Sequence, residues 1–453
     1  MIKINPREVA AKTLGEIASG AYNGIALSRT LRQNGAMPEY DKAFVTETVN
    51  GSLRNIIYID YIINKFSTLP ANKIKPYILS VLRISVYQIM FMDKVPVSAV
   101  CNEAVKLVKS KNMGALSGFV NGVLRSVVNG YKDVLLPDES AEPLDFLSVK
   151  YSCPKWLVNM WLSYYGYEFT KEMLMKNNTP PKVTIRVNTL KTDTFSLCEE
   201  LSSEGVRAEK SKNLSDSLYI SNTSDISRLK SFKEGLFHVQ DEASQLVSWI
   251  LNPKEGEKIL DVCAAPGGKS FTIAELMKDK GSIVSRDIYE NKVYMISEGA
   301  KRLGLLSVKA EESDAVNFNE SDFEKYDKVL VDAPCSGLGL IRKKPDIRLK
   351  KDGNYIDSLI DLQRKILTAS EKCVKPGGIL VYSTCTLSKK ENTGNMDWFC
   401  GKFNFCGIDI TSLLPDNINS ETAPCGYIEL YPHINDMDGF FISCMRKKEY
   451  KNG

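Results

Sequence analysis

A chain of 453 residues, 43% hydrophobic and 25% charged, is long enough for several domains and apolar enough to bury a core in each. Eleven cysteines without one Cys-x-x-Cys pair, and only two histidines, His238 and His433, argue against a disulfide scaffold and a zinc site, so the thiols are read as free. The formal net charge of +4 is unevenly held: residues 1–135 carry 17 Lys and Arg against 9 Asp and Glu, and the remainder carries 42 against 46.

The N-terminus lacks the apolar run of a signal peptide. The most apolar stretch, 77–92, is interrupted by Arg83 and too short to span a bilayer. The expectation is a soluble, cytoplasmic monomer with no membrane partner.

Residues 1–135 read as all-helical. Ile78, Leu82, Val86, Ile89 and Met90 recur at helical spacing, as do Val120, Val123, Leu124 and Val127, with Pro96 and the run 111–114 as punctuation. A basic helical domain on a mildly acidic remainder points to a polyanionic partner; a solvated basic face is the alternative. A polar linker with Pro137 and Pro143 leads into a Trp-containing helix over 155–165. Strands at 184–188, 206–209 and 218–221 and a helix at 195–204 make a small α+β unit. The predicted divisions are 1–135 helical, 136–170 linker and helical segment, 171–235 small α+β, RRM-like unit, and 236–448 catalytic domain.

From about residue 241, short apolar strands alternate with helices: 258–264, 282–287, 307–310, 328–332, 378–384 and 439–445. That alternation predicts an α/β fold with a parallel, doubly wound, Rossmann-like sheet, and ligands beyond the carboxyl ends of its strands.

The first of these strands runs into Cys263-Ala264-Ala265-Pro266-Gly267-Gly268-Lys269-Ser270 and then a helix. Small residues there let a ligand approach the backbone, and the helix start offers free amides. A phosphate-binding loop would need glycine where Cys263 stands, and the Gly-x-Gly-x-x-Gly of a dinucleotide fold is absent. A nucleoside cofactor without a pyrophosphate, such as S-adenosylmethionine, fits better. Asp287 closes the second strand, where a carboxylate accepts both ribose hydroxyls, and Asp314 follows the third, within reach of an adenine amino group.

The fourth strand ends Asp332-Ala333-Pro334-Cys335-Ser336, and the fifth Ser383-Thr384-Cys385-Thr386. Both tips face one crevice, which brings two thiols and a carboxylate beside the cofactor. Lone cysteines are commonly buried small apolar residues, and Cys101, Cys373 and Cys444 are read so. Cys335 and Cys385 differ in their polar, Ser/Thr-flanked strand ends. Cytosine C5 becomes nucleophilic enough to take a methyl group only after a thiolate adds at C6. Asp332 is placed to hydrogen-bond the base. The residues alone leave either sulfur as the attacking one.

The runs at 261–269, 332–336 and 383–386 together resemble the NOL1/NOP2/Sun family of RNA cytosine-5 methyltransferases. So do Arg186-Val187-Asn188-Thr189-Leu190, Val239-Gln240-Asp241-Glu242-Ala243-Ser244, Lys344-Pro345-Asp346 and Asp438-Gly439-Phe440-Phe441. Residues 1–135 resemble the NusB fold, and that fusion points to the family's bacterial branch acting on 16S ribosomal RNA. The resemblance implies S-adenosylmethionine held by Cys263 to Lys269, Asp287, Asp314 and Asp332. It further implies Cys385 as nucleophile, and Cys335 as the residue assisting adduct breakdown and RNA release. The run Glu429-Leu430-Tyr431-Pro432, and Thr393-Gly394-Asn395 after Glu391-Asn392, depart from the family pattern. The same chemistry on transfer RNA, and a non-enzymatic RNA-binding or antitermination protein, are the competing readings.

Overall fold

The computed structural model describes residues 4–223, 225–350 and 352–449. The chain divides into two compact units: Met1–Pro180 with Ile341–Gly353, and Pro181–Leu340 with Asn354–Gly453.

The first unit is helical. Asn5 caps the opening helix, Pro6–Ala18, by accepting the Arg7 and Glu8 N–H groups, with proline at the first helical position where its missing donor costs nothing. Helices Glu39–Arg54, Pro76–Phe91 and Ser117–Gly130 contribute Val45, Val49, Leu53, Ile78, Leu82, Val86, Val120, Leu124 and Val127 to one core. The spacing read from the sequence marked its stripe, although Ile89 and Met90 lie at its edge. Gly51 lets the Tyr87 ring approach its helix closely: a Cβ there would sit 2.0 Å from that ring.

Helices Pro143–Lys150, Lys155–Tyr165 and Tyr167–Asn177 belong to the same unit, as does the excursion 341–353. The buried Arg348 anchors that excursion by donating to the carbonyls of Tyr151 at 2.8 Å, Ser152 at 2.7 Å and Asn177 at 3.0 Å. These are chain-end acceptors that a helix leaves open. The family-like Lys344-Pro345-Asp346 therefore lies in the helical unit.

The second unit holds two sheets. In the small one, β1 (Val183–Val187), β2 (Arg207–Lys210), β3 (Ser217–Ser221) and β4 (Phe237–Val239) pair antiparallel in the order β2-β3-β1-β4. Period-two alternation puts Ile185 and Val187 in its core with Leu197, Leu201 and Leu218. It turns Arg186 the other way, onto Glu275 at 2.8 Å and Gln245 at 3.3 Å. Asn188 donates to the carbonyls of Gly235 and Leu303. The run Arg186–Asn188 is thus the joint between the two sheets.

The large sheet contains β5 (Lys258–Asp261), β6 (Ser282–Asp287), β7 (Val308–Glu312), β8 (Tyr326–Asp332), β9 (Val374–Thr384), β10 (Phe405–Gly407), β11 (Tyr427–Leu430) and β12 (Phe440–Lys447). Its order is β10-β12-β9-β8-β5-β6-β7, with β11 on β12. Strands β5 to β9 are parallel, as the βα alternation predicts. The last predicted strand is not: β12 runs antiparallel to β9. A parallel return needs a crossover of a dozen or more residues, usually a helix; β12 is reached from its other neighbour, β11, through nine residues holding only the four-residue helix Pro432–Asn435, and pairs antiparallel with it too. The order reverses between β5 and β8, and that switch point opens the crevice.

Candidate active site

The cofactor end is built where β5 stops. Ala264 donates to the Arg286 carbonyl at 2.8 Å and Gly267 to that of Ala264 at 2.7 Å, so the chain turns sharply into helix Gly268–Leu276. Gly267 has φ +108°, and a Cβ there would collide with the Phe271 ring at 2.3 Å, so this position requires glycine. The buried Gln240 supports the loop from below: it accepts from Thr272 at 2.7 Å and stands 3.6 Å from where a Gly268 Cβ would be. Asp241 caps the next helix by accepting the Ala243 N–H.

Three carboxylates surround this turn. Asp261 is fully buried, accepts from Ser270 Oγ at 2.7 Å, and is pushed up to about 7, chiefly by burial. Asp287, 6% exposed at the tip of β6, lies 3.3 Å from Lys292 Nζ. Asp332 ends β8. The Cys263 thiol is held well above its ordinary range, first by burial and then by Asp261, Asp332 and Asp287, so it stays neutral and unreactive. Asp287 and Asp332 each face a lysine, and their remaining lone pairs can accept the hydroxyl and amine donors of S-adenosylmethionine. Asp314, two residues beyond β7, accepts the Val316 N–H at 3.1 Å within its own loop.

The chemical end is compact. Lys269 Nζ donates to Asp332 Oδ2 at 2.6 Å, and Ser383 Oγ to Asp332 Oδ1 at 2.8 Å. Burial lowers the Lys269 ammonium, but Asp332 more than offsets it and Cys385 adds to the rise, so the lysine stays charged. Each Asp332 oxygen keeps a further lone pair for a base. The two sulfurs lie together: Cys335 Sγ is 3.2 Å from Cys385 Sγ. The Cys335 thiol is raised well above its usual range, first by its bond to Cys385, then by burial and by Glu391 and Asp332.

The structure thus brings Cys335 and Cys385 together at the strand tips, where the sequence placed them with Asp332, and adds Lys269 as the partner of Asp332. The sequence reading missed the residues beneath them. Glu391 is fully buried and accepts from Ser336 N–H at 2.9 Å, Ser336 Oγ at 2.6 Å and Gln363 Nε2 at 3.0 Å. Asn395, at one of the departures from the family pattern, donates to Gln363 Oε1 at 2.8 Å and to the Tyr382 hydroxyl at 3.1 Å. Glu391 was detectable only as a carboxylate six residues past Cys385, in a polar run that resembles a solvated turn. Among the described residues no group of His, Cys, Asp and Glu forms a metal site, and no helix is long and apolar enough to cross a membrane.

Comparison with known proteins gives three family matches in chain order: the NusB family over 4–129, an RsmF/B-like ferredoxin-like domain over 153–227, and 16S rRNA methyltransferase RsmB/F over 248–446. The chain is 37% identical over 452 residues to the probable ribosomal RNA small subunit methyltransferase B of Bacillus subtilis, covering 99% of this chain and all of that one. The corresponding Synechocystis protein is 32% identical, with 98% and 100% covered. Among solved structures, PH0851 superposes with a TM-score of 0.82 at 28% identity, covering 98% of this chain and all of that one. NSun6 from Pyrococcus horikoshii with SFG, an S-adenosylmethionine analogue, gives 0.59 at 27% identity over 66% and 99%.

Proposed function

This chain belongs to the ribosomal RNA small subunit methyltransferase B family, and from that premise we propose that it methylates C5 of one cytosine in 16S ribosomal RNA through a covalent cysteine–C6 adduct. S-adenosylmethionine-dependent methylation of ribosomal RNA is the family's activity. The cofactor supplies an electrophilic methyl group. Cys263 to Lys269, Asp287, Asp314 and Asp332 are the residues proposed to hold it.

The observation that carries this reading is the sulfur pair beside Asp332. Cys385 is taken as the attacking sulfur because the family resemblance assigns it that role, and the Cys335 thiol, raised by its hydrogen bond to Cys385, by burial and by Glu391 and Asp332, keeps its proton. Cys385 forms the bond to C6, and the electron pair displaced from the C5–C6 double bond takes up the methyl group at C5. Asp332 orients the base by hydrogen bonding. Loss of the C5 proton to solvent restores the double bond and breaks the C6–sulfur bond. The Cys335 thiol, 3.2 Å away, donates its hydrogen to the departing sulfur.

The four-part division at 135, 170 and 235 remains our reading of the chain, supported by the three family matches. A direct test uses tritium: cofactor labelled in its methyl group and unmodified ribosomal RNA should give labelled RNA, and label on transfer RNA instead would redirect the substrate assignment.

Two further outcomes are expected. Asp287→Ala should weaken S-adenosylmethionine binding about 10- to 100-fold, the worth of a charge-assisted bond pair to a ribose. Calorimetry finding unchanged affinity removes Asp287 from the pocket. RNA should also contact the basic helical unit. Because 136–180 and 341–353 share that unit, deleting 1–135 would strip their core, so charge substitution is the cleaner test. Exposed Lys65, Lys73, Lys75 and Lys132, changed together to Gln, should lower RNA affinity and flatten its salt dependence by about 0.7–0.9 in slope for each phosphate no longer neutralised. An unchanged slope shows that these lysines do not touch RNA.

A further inference from the structure

We propose that a basic groove on the flank of the catalytic sheet, outside the crevice, takes the phosphate backbone of the RNA substrate. The proposal rests on the ribosomal RNA reading above and adds a second contact surface to it.

Helix Tyr355–Glu371 buries Gln363, Ile366 and Leu367, and helix Thr393–Lys402 buries Met396 and Phe399; the apolar members of both share one core. Helical spacing then turns Arg364, Thr368 and Lys372, four residues apart, to one outer side, with Lys365 beside them. On the second helix it aligns Trp398 with Lys402. With Phe318 from the chain after β7, these side chains line a groove of about 340 Å³.

The lining holds four cations, Arg364, Lys365, Lys372 and Lys402, and no carboxylate. Other exposed lysines of the same unit are paired: Lys278 and Lys280 with Glu255, Lys309 with Glu311, and Lys390 with Asp357. Among the described residues no carboxylate oxygen comes within 4.0 Å of the four cationic groups of the groove. Of the acidic residues nearest in sequence, Glu371 stands 3.9 Å from Lys447, and the exposed Asp361 and Asp397 do not line the groove. Rings hold the cations instead. Arg364 lies 5.0 Å and Lys402 5.1 Å from the centre of the Trp398 ring, and Lys372 lies 5.0 Å from that of Phe318. A ring face attracts a cation without cancelling its charge, so the groove keeps its full positive charge. This runs against the composition, since the chain after residue 135 carries 46 acidic residues against 42 basic ones.

A phosphodiester strand is the polyanion that fits, because its charges recur every few ångströms along a line. Lys365 and Lys372 are separated by two helical turns, about 10 Å along the axis, so they meet different phosphates. The groove is also tied to the chemistry. Arg364 Nε donates to Asn395 Oδ1 at 3.0 Å, Asn395 Nδ2 to Gln363 Oε1 at 2.8 Å, and Gln363 Nε2 to the carbonyl of Pro334 at 2.9 Å, the residue before Cys335. Three hydrogen bonds therefore connect the groove wall to a cysteine loop.

The test is filter binding of unmodified 16S ribosomal RNA to the full chain across a range of salt concentrations. Lys365, Lys372 and Lys402 are exposed, and all three changed to Gln leave the fold intact. The triple variant should lower the salt slope by about 2–3 in all, weaken RNA binding at least about tenfold at about 0.15 M salt, and raise KM for RNA while kcat, cofactor affinity and unfolding temperature hold. Lys278, Lys280 and Lys309, equally exposed but paired, changed to Gln as a control should leave the slope as it was. An unchanged slope in the groove variant overturns the proposal, as does an equal fall in the control, which would reflect net charge alone. Unchanged binding of naked RNA with weakened binding of an assembling small subunit also overturns it, because the groove would then hold a protein. Absence of methyl transfer by the intact protein, with the slope still falling in the groove variant, counts against the proposed function and leaves the groove standing.

Discussion

Cys335→Ala, incubated with unmodified RNA and S-adenosylmethionine, should accumulate as a protein–RNA adduct that survives denaturing electrophoresis and disappears on nuclease treatment. The reason lies in the 3.2 Å approach of the two sulfurs. Without Cys335, Cys385 still attacks C6 and the methyl group still transfers, but the departing sulfur has no neighbouring donor, so the adduct outlives the reaction. Cys385→Ala should give no adduct and lose at least about 10⁴-fold in methyl transfer, the scale seen when a covalent nucleophile is removed. Cofactor affinity should be unchanged in both. The double variant should give no adduct. If both cysteines merely filled the core, both single variants would lose stability alike and neither would trap RNA. An adduct in Cys385→Ala and none in Cys335→Ala would reverse the roles.

The second large effect is expected at Asp332. Its carboxylate holds Lys269 at 2.6 Å, with side-chain exposures of 28% and 12%, and Ser383 at 2.8 Å. Asp332→Asn removes the negative charge and leaves a mostly buried ammonium uncompensated. Breaking one half of a buried pair costs about 3–5 kcal/mol, here toward the lower end because Asp332 is partly exposed. Thermal unfolding of the second unit should fall by several degrees. Methyl transfer should drop at least about 100-fold, because the group that orients the base is altered as well. Lys269→Met with Asp332→Asn should recover part of the stability lost in Asp332→Asn alone, since the stranded charge is then gone. A double-mutant cycle with no coupling between the two positions would show that the pair is incidental.

The catalytic sheet was legible in the sequence because each parallel strand is a short apolar run ending in a chemical signature. Strand β6 was read with its observed ends, and β8 and β9 were placed with only their starts too late. What escaped was short or context-dependent. Strands β4, β10 and β11 span three or four residues and owe their pairing to neighbours far away in sequence. The orientation of β12 depends on the connection before it, not on its own residues.

The site divides in the same way. Residues at strand tips, Asp287, Asp332, Cys335 and Cys385, carried a positional signal. The lysine at 269 was read as part of the cofactor loop, and only the fold shows its ammonium on Asp332. Glu391, Gln363 and Asn395 carried none, because a buried polar network is defined by its partners and these lie on separate elements. Arg348 is a further case: an arginine in a charged run, KKPDIRLK, becomes a buried anchor of the helical unit only through three carbonyls from other segments.

The central claim, one cytosine methylated at C5, is tested most directly by incubating the intact protein with S-adenosylmethionine and unmodified 16S ribosomal RNA, then bisulfite sequencing the product. The account predicts one cytosine newly protected from conversion, protected only when cofactor is present and lost with Cys385→Ala. Methyl label on the RNA with every cytosine still converted, or protection that persists in Cys385→Ala, would contradict it.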